Sequence, residues 1–204
     1  VDAKSHWEDV YRSKAPEQVS WYRPHLDVSL RLIASAAPDR ASAVIDVGGG
    51  ESTLVDDLIA HGYADVSILD ISEAAIAVAK ARLGQQAAAV HWIAGDITAC
   101  DLPANRYDLW HDRAVFHFLT DTAQRRAYVR QVARAVKPGG HVIVATFGPE
   151  GPLTCSGLEV VRYDSDGLHG EFGARFELLE HLTEVHETPW GAPQQFLYCF
   201  CRKD

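Results

Sequence analysis

From about residue 41 the chain alternates short β-branched runs with stretches of helical period, the pattern of βαβ units around a largely parallel sheet. The strand candidates are AVIDV (43–47), DVSILD (65–70), AVHWIA (89–94), YDLWH (107–111) and HVIVATF (141–147). Over 123–136, Tyr128, Val129, Val132 and Val136 share one helical face while Arg125, Arg126, Arg130 and Arg134 point elsewhere. Asp121 or Thr120 caps the start of that helix, and Pro138-Gly139-Gly140 stops it. Ser72 caps an Ala-rich helix running to about Leu83, with Gly84 as its end signal. After Phe147 a Gly/Pro-rich loop, GPEGPLTCSG, leads to a short helix near 163–172. Two longer strand candidates follow, 174–185 and 194–202; the linker between them suits an antiparallel hairpin better than a parallel crossover. The first forty residues read as mostly helical, broken near Pro16 and Pro24.

The expected architecture is a single α/β domain over 1–204, with a helical extension (1–40) ahead of a doubly wound core (41–204). Hydrophobic residues make up 47% and charged residues 23%, enough apolar material for a sizeable core. No run approaches the roughly 20 apolar residues of a membrane span, and VDAKSHWEDVYRSK has no hydrophobic signal region, so a cytoplasmic location without membrane contact is expected. Cys100, Cys155, Cys199 and Cys201 lack the spacing of a disulfide framework. Cys199 and Cys201 alternate with Phe196, Tyr198 and Phe200 and read as core; no metal site is expected. A net charge of −9 with no Lys/Arg block points away from nucleic acid and toward a small molecule or a basic protein surface. Nothing in the pattern specifies an oligomeric state.

VIDVGGGES (44–52) carries the most chemistry. A buried strand ends in glycines that permit positive φ and close approach of a ligand, and a helix begins near Ser52. Asp70, at the carboxyl end of the next strand, is placed to accept both hydroxyls of a ribose. Thr53 stands where a dinucleotide fingerprint has its third glycine. Asp46, two residues before Gly48, would oppose a pyrophosphate but suit a ligand carrying cationic groups.

With these features the sequence resembles the class I S-adenosylmethionine-dependent methyltransferases over almost its whole length. IDVGGGES resembles their first motif, with Ser52 where a last glycine is common; GDIT (95–98) resembles the third, and 107–119 and 136–147 the fourth and fifth strand regions. The resemblance implies a seven-stranded, mostly parallel sheet of order 3-2-1-4-5-7-6 with a C-terminal antiparallel hairpin. It implies S-adenosylmethionine as cofactor and S-adenosylhomocysteine as product. Asp46, Gly48 and Gly50 would back the methionine half, Asp70 and Ile71 the ribose and adenine, and Asp96 and Ile97 the adenine amino group and ring.

Methyl transfer is an in-line displacement that needs alignment and exclusion of water, so a catalytic side chain need not be present. The stretch Asp112–His117 would face the methyl group; His117 is either a general base or a histidine packed under the loop. Arg113 either orients an anionic acceptor or pairs with Asp112, while His111 reads as structural. The extension, with His6, Trp7, Tyr11, Trp21 and Tyr22, would fold over the cofactor as a lid, Trp21 and Tyr22, Tyr22 foremost, covering the sulfonium or simply docking the extension. Cys155 is a substrate contact, a reactive thiol or a plain loop residue. The expected function is methyl transfer to a small-molecule acceptor. A protein-lysine methyltransferase, with Trp21, Tyr22 and Trp190 lining an acceptor channel, is the nearest variant. An NAD-dependent oxidoreductase and a non-catalytic adenosine-binding module are the rivals from other classes.

Overall fold

The computed structural model describes residues 2–204. The strands are β1 (Ala43–Val47), β2 (Asp65–Asp70), β3 (Val90–Ala94), β4 (Tyr107–Arg113), β5 (Val136–Phe147), the two-residue β6 (Thr154–Cys155) and β7 (Leu158–Glu159), β8 (Phe176–Glu187) and β9 (Pro193–Lys203). The helices are α1 (Ala3–Ser13), α2 (Asp27–Ala36), α3 (Leu54–Ala60), α4 (Glu73–Leu83), α5 (Thr122–Ala135) and α6 (Ser165–Phe172).

Seven strands form one sheet in the order β3-β2-β1-β4-β5-β9-β8, and β6 pairs with β7 separately. With that small hairpin set aside, this is the 3-2-1-4-5-7-6 order. β1 to β5 run parallel, whereas β9 is antiparallel to both β5 and β8. β1 is flanked by β2 and β4 because the chain winds outward to β3 and then returns to the other side. The carboxyl ends of β1 and β4 therefore bracket the crevice where open α/β sheets bind ligands.

Both faces of the sheet are covered. Val44, Ile68, Leu109 and Ile143 pack in one layer with Leu32 and Ile33 of α2 and Leu54 and Leu58 of α3. Ile45, Trp110 and Val142 pack in the other with Tyr128 and Val132 of α5 and Leu168 of α6. The alternation of β9 sends Phe196, Tyr198 and Phe200 into the first layer and Cys199 and Cys201 into the second. All four cysteines are free thiols.

Caps fix the helix starts. Ser72 accepts from the Ala75 N–H and Asp121 from the Ala123 N–H, so of the two candidates before α5 it is Asp121 that caps. α3 begins at Leu54 rather than Ser52, because the Ser52 N–H closes a turn on the Gly49 carbonyl and its Oγ accepts from the Leu54 N–H. Pro138-Gly139-Gly140 does not stop α5, which ends at Ala135. It lies inside β5, where the pairing with β4 shifts register between Tyr107 and Leu109.

Polar contacts spread along the extension fasten it to the core. Glu8 of α1 accepts from the Glu73 and Ala74 N–H groups and so caps α4 from 65 residues away. The Thr53 hydroxyl reaches the carbonyls of Arg23 and Pro24 at 3.0 and 2.9 Å. Arg23 pairs with Glu184 of β8 at 2.6 Å. No helix among the described residues is long and apolar enough to cross a membrane.

Candidate functional site

The loop after β1 is held in place by what its glycines allow. Gly48 sits at φ +72°, its N–H donates to the Leu69 carbonyl at 2.7 Å, and a Cβ there would collide with Val115. Gly50 sits at φ +34°, and a Cβ there would stand 2.7 Å from Asp70 Oδ2. The glycines thus bring the loop backbone against the end of β2 on one side and the segment after β4 on the other.

Two cavities meet over this loop. The larger spans the ends of β1, β2 and β3 and is lined by Gly48, Asp70, Ile71, Asp96 and Ile97, with Val115 and Phe118 opposite. Trp7, Tyr11 and Trp21 of the extension roof it, and Trp7 stacks edge-on to both Trp21 and Phe118 with ring centroids 5.7 and 5.0 Å apart. Asp70 is buried; its Oδ1 accepts from the Ser72 N–H at 2.8 Å, and burial pushes its pKa up to about 7. Asp96 is exposed, its Oδ1 holding the Thr98 N–H and hydroxyl, while Ile97 is buried beside it.

The smaller cavity lies on the other side of Gly48 and includes Asp46, Glu51, Tyr22, His111 and Arg113; Trp21 and Tyr11 line both. Asp46 is engaged already: its Oδ1 stands 2.7 Å from His111 Nδ1, and His111 Nε2 stands 2.9 Å from Ser29 Oγ. That chain fixes His111 as a structural residue. Tyr22 belongs only to this smaller cavity, so of the Trp21–Tyr22 pair it is Trp21 that reaches the roof of the larger one.

The end of β4 departs most from expectation. Asp112 is fully buried and accepts from the Val115 and Phe116 N–H groups at 2.8 and 3.1 Å and from the Tyr128 hydroxyl at 2.6 Å. It lines neither cavity. Arg113 does not pair with it. Its guanidinium lies over the Phe196 ring at 4.1 Å, donates to Tyr198 Oη and the Trp21 carbonyl, and stands 4.0 Å from Glu184. His117 is fully buried away from both cavities, and its Nδ1 accepts from the Phe147 N–H at 3.1 Å. Burial holds its pKa down at about 3, so it is neutral at physiological pH and cannot reach an acceptor proton. The packed reading of His117 is the one the geometry carries.

Two further candidates move. Cys155 is buried against Ser20, 3.8 Å from its Oγ, and burial pushes its thiol up to about 11, which removes the reactive-thiol reading. Trp190 is 62% exposed in the β8–β9 turn and lines neither cavity, so it contributes nothing to an acceptor channel there. Sequence reasoning missed Glu51 and Phe118. Val115, within the stretch expected to face the methyl group, does line the larger cavity, while Phe118 just beyond that stretch was passed over in favour of titratable groups.

Residues 44–140 match a family model described as "Methyltransferase domain". The chain is 27% identical over 139 residues to the eEF1A lysine and N-terminal methyltransferase of Mus musculus, covering 68% of this chain and 19% of that protein. It is 29% identical over 120 residues to the ubiquinone biosynthesis O-methyltransferase of Coxiella burnetii, covering 59% of this chain and 50% of that protein. The chain therefore spans a fifth to a half of the length of these relatives. The N-methyltransferase NodS from Bradyrhizobium japonicum, solved with S-adenosylhomocysteine, shares the fold at a TM-score of 0.76 and 15% identity, with 99% of each chain covered. Fold, glycine loop and strand-end acid together define the class I S-adenosylmethionine-dependent methyltransferases. Residues 44–140 thus match a methyltransferase domain, and a solved structure of the same fold holds S-adenosylhomocysteine, the product form of the cofactor S-adenosylmethionine.

The described residues fit that cofactor. The loop leaves no room for a Cβ where an elongated ligand would cross it at Gly48, and a buried carboxylate waits at the end of β2. Asp70 would hold the ribose hydroxyls, Asp96 and Ile97 the adenine, and the smaller cavity beyond Gly48 the amino-acid end.

Proposed function

We propose that this chain transfers the methyl group of S-adenosylmethionine to a small-molecule acceptor. The observation that carries the reading is the junction of the two cavities at Gly48 under Trp21, where a reacting methyl would be shut from water. The cofactor, when bound, supplies an electrophilic methyl on a sulfonium. The chain's own part is to hold and to cover. Asp70 fixes the ribose, the aromatic roof excludes solvent, and Arg113, anchored by Tyr198, Trp21 and Glu184, sets the position of the roof over the core. No base is assigned: His117 is sealed off and neutral, so catalysis rests on alignment and desolvation.

A small acceptor is favoured over a protein lysine because the extension encloses the crevice, with Trp7 packed on both Trp21 and Phe118. A lysine would have to enter past that cluster. The mouse relative is a lysine and N-terminal methyltransferase and the Coxiella relative an O-methyltransferase of ubiquinone biosynthesis, so relatives alone do not choose. In this reading 1–204 acts as one domain with 1–40 as the lid, works in the cytoplasm, and has no nucleic-acid partner, in keeping with its charge of −9. The oxidoreductase reading is set aside: the acids Asp46, Glu51 and Asp70 around the loop would repel a pyrophosphate. The test is product formation from methyl-labelled S-adenosylmethionine against a panel of thiols, amines, phenols and carboxylic acids beside a protein extract. Label on a small acceptor supports the proposal; label on protein alone overturns its small-molecule half.

A further inference from the structure

We infer that Glu51 anchors the α-ammonium group of the methionine half of the cofactor. The inference rests on the cofactor reading above and assigns an unclaimed residue of the glycine loop. Glu51 is only 5% exposed, yet both of its carboxylate oxygens lack a hydrogen-bond partner. It lines the smaller cavity with Gly48 and Gly49, where the amino-acid end of the ligand would lie. A buried carboxyl left without a partner is costly unless a ligand supplies one.

The nearby protein cation is occupied elsewhere. Arg82 of α4 gives its Nε and Nη2 to Asp56 and its Nη1 and Nη2 to the backbone carbonyls of Glu51 and Ser52. It braces the loop and leaves the Glu51 carboxylate free. Asp46, the other acid of the cavity, is tied to His111. The remaining charged and titratable groups around Glu51 are Asp70 at the end of β2, Glu17 in the 16–18 turn, Tyr11 of α1, Tyr22, Arg23, which is paired with Glu184, and His111 and Arg113 across the cavity. Burial, opposed by Arg82 and reinforced by Asp70 and Glu17, pushes Glu51 up to about 7. An arriving ammonium would convert that carboxyl to a carboxylate and release a proton.

The experiment is calorimetric titration of the full chain, wild type and Glu51→Gln, with S-adenosylhomocysteine and with 5′-methylthioadenosine. The second ligand keeps the adenosine and sulfur but lacks the amino-acid end. The expected result is that Glu51→Gln weakens S-adenosylhomocysteine by roughly tenfold or more, the loss of one charged hydrogen bond, and leaves 5′-methylthioadenosine unchanged. Retained 5′-methylthioadenosine binding also certifies the fold of the variant. In buffers of different ionisation enthalpy near about pH 6.5, wild type should release more protons with S-adenosylhomocysteine than with 5′-methylthioadenosine. That excess isolates Glu51, since both ligands present the ribose to Asp70, and it should vanish in the variant. Unchanged affinity for S-adenosylhomocysteine, or equal weakening of both ligands, overturns the inference. Failure of wild type to bind either ligand overturns the cofactor reading beneath it.

Discussion

The ends of β2 and β4 both carry an aspartate buried at the rim of one crevice, and they do opposite things with it. Asp70 takes the Ser72 N–H through Oδ1, lies against Gly50 through Oδ2, and lines the larger cavity. Asp112 takes two backbone N–H groups and the Tyr128 hydroxyl, and lines no cavity. The difference lies in the chain that follows. After β2 the chain passes directly into α4, whose start Ser72 caps, and the Asp70 carboxylate keeps a face on the cavity. After β4 the chain turns back through Ala114 at φ +79° into a 3-10 turn, Phe116–Phe118, wrapping its N–H groups around Asp112. One strand end therefore presents its carboxylate to a cavity and the other holds its own loop in place.

This comparison breaks most visibly at Asp112. Asp112→Ala leaves three donors unpaired, two of them buried, and should cost about 3–5 kcal/mol of stability, read from urea unfolding; a cost under about 1 kcal/mol would mean that Asp112 does not hold the loop. Asp70→Ala should show the reverse profile. Its affinity for S-adenosylhomocysteine should fall about 100-fold, the loss of two hydrogen bonds to a charged group, in titration calorimetry, with a smaller change in unfolding than Asp112→Ala.

His117 sharpens the same contrast through pH. Burial holds it at about 3 in the folded chain against an ordinary value of 6.5, so between these values the unfolded chain holds the extra proton. Its contribution to stability is therefore present above pH 6.5 and falls as pH drops through that window, by up to about 1.4 kcal/mol per pH unit. Glu51, Asp70 and Asp112, pushed up by burial to about 7, 7 and 6, carry the opposite sign: they bind protons when folded and oppose stability as pH rises. His117→Phe should remove the histidine slope and leave the carboxyl slope, while turnover at neutral pH survives. Loss of turnover with cofactor affinity intact would restore His117 as a base. The smallest effect belongs to the roof. Trp21→Ala should weaken S-adenosylhomocysteine by about 5- to 10-fold through lost aromatic contact, and Tyr22→Ala by less. Equal losses would contradict the separation of the two cavities.

The parallel core was legible because its strands are short, β-branched and spaced by helices, and because Gly48, Gly50, Asp70 and Asp96 sit at fixed places relative to those strands. The site beyond Gly48 was less legible. Glu8 caps α4, and Thr53 and Arg113 grip the extension, across 65, 30 and 92 residues of chain, and no local pattern encodes such contacts. Charge was the wrong guide after β4: Asp112 and His117 drew attention as titratable groups, yet the backbone donors that claim Asp112 and the core that encloses His117 are set by a turn no propensity announces. Glu51 escaped notice for the converse reason, since only its burial without a partner marks it.

The central claim, that this crevice holds S-adenosylmethionine rather than a dinucleotide, is tested most directly by calorimetric titration with S-adenosylhomocysteine and, separately, with NAD. Saturable binding of S-adenosylhomocysteine that Asp70→Ala weakens about 100-fold, with no heat from NAD, is the predicted result; NAD binding without S-adenosylhomocysteine binding would contradict the account.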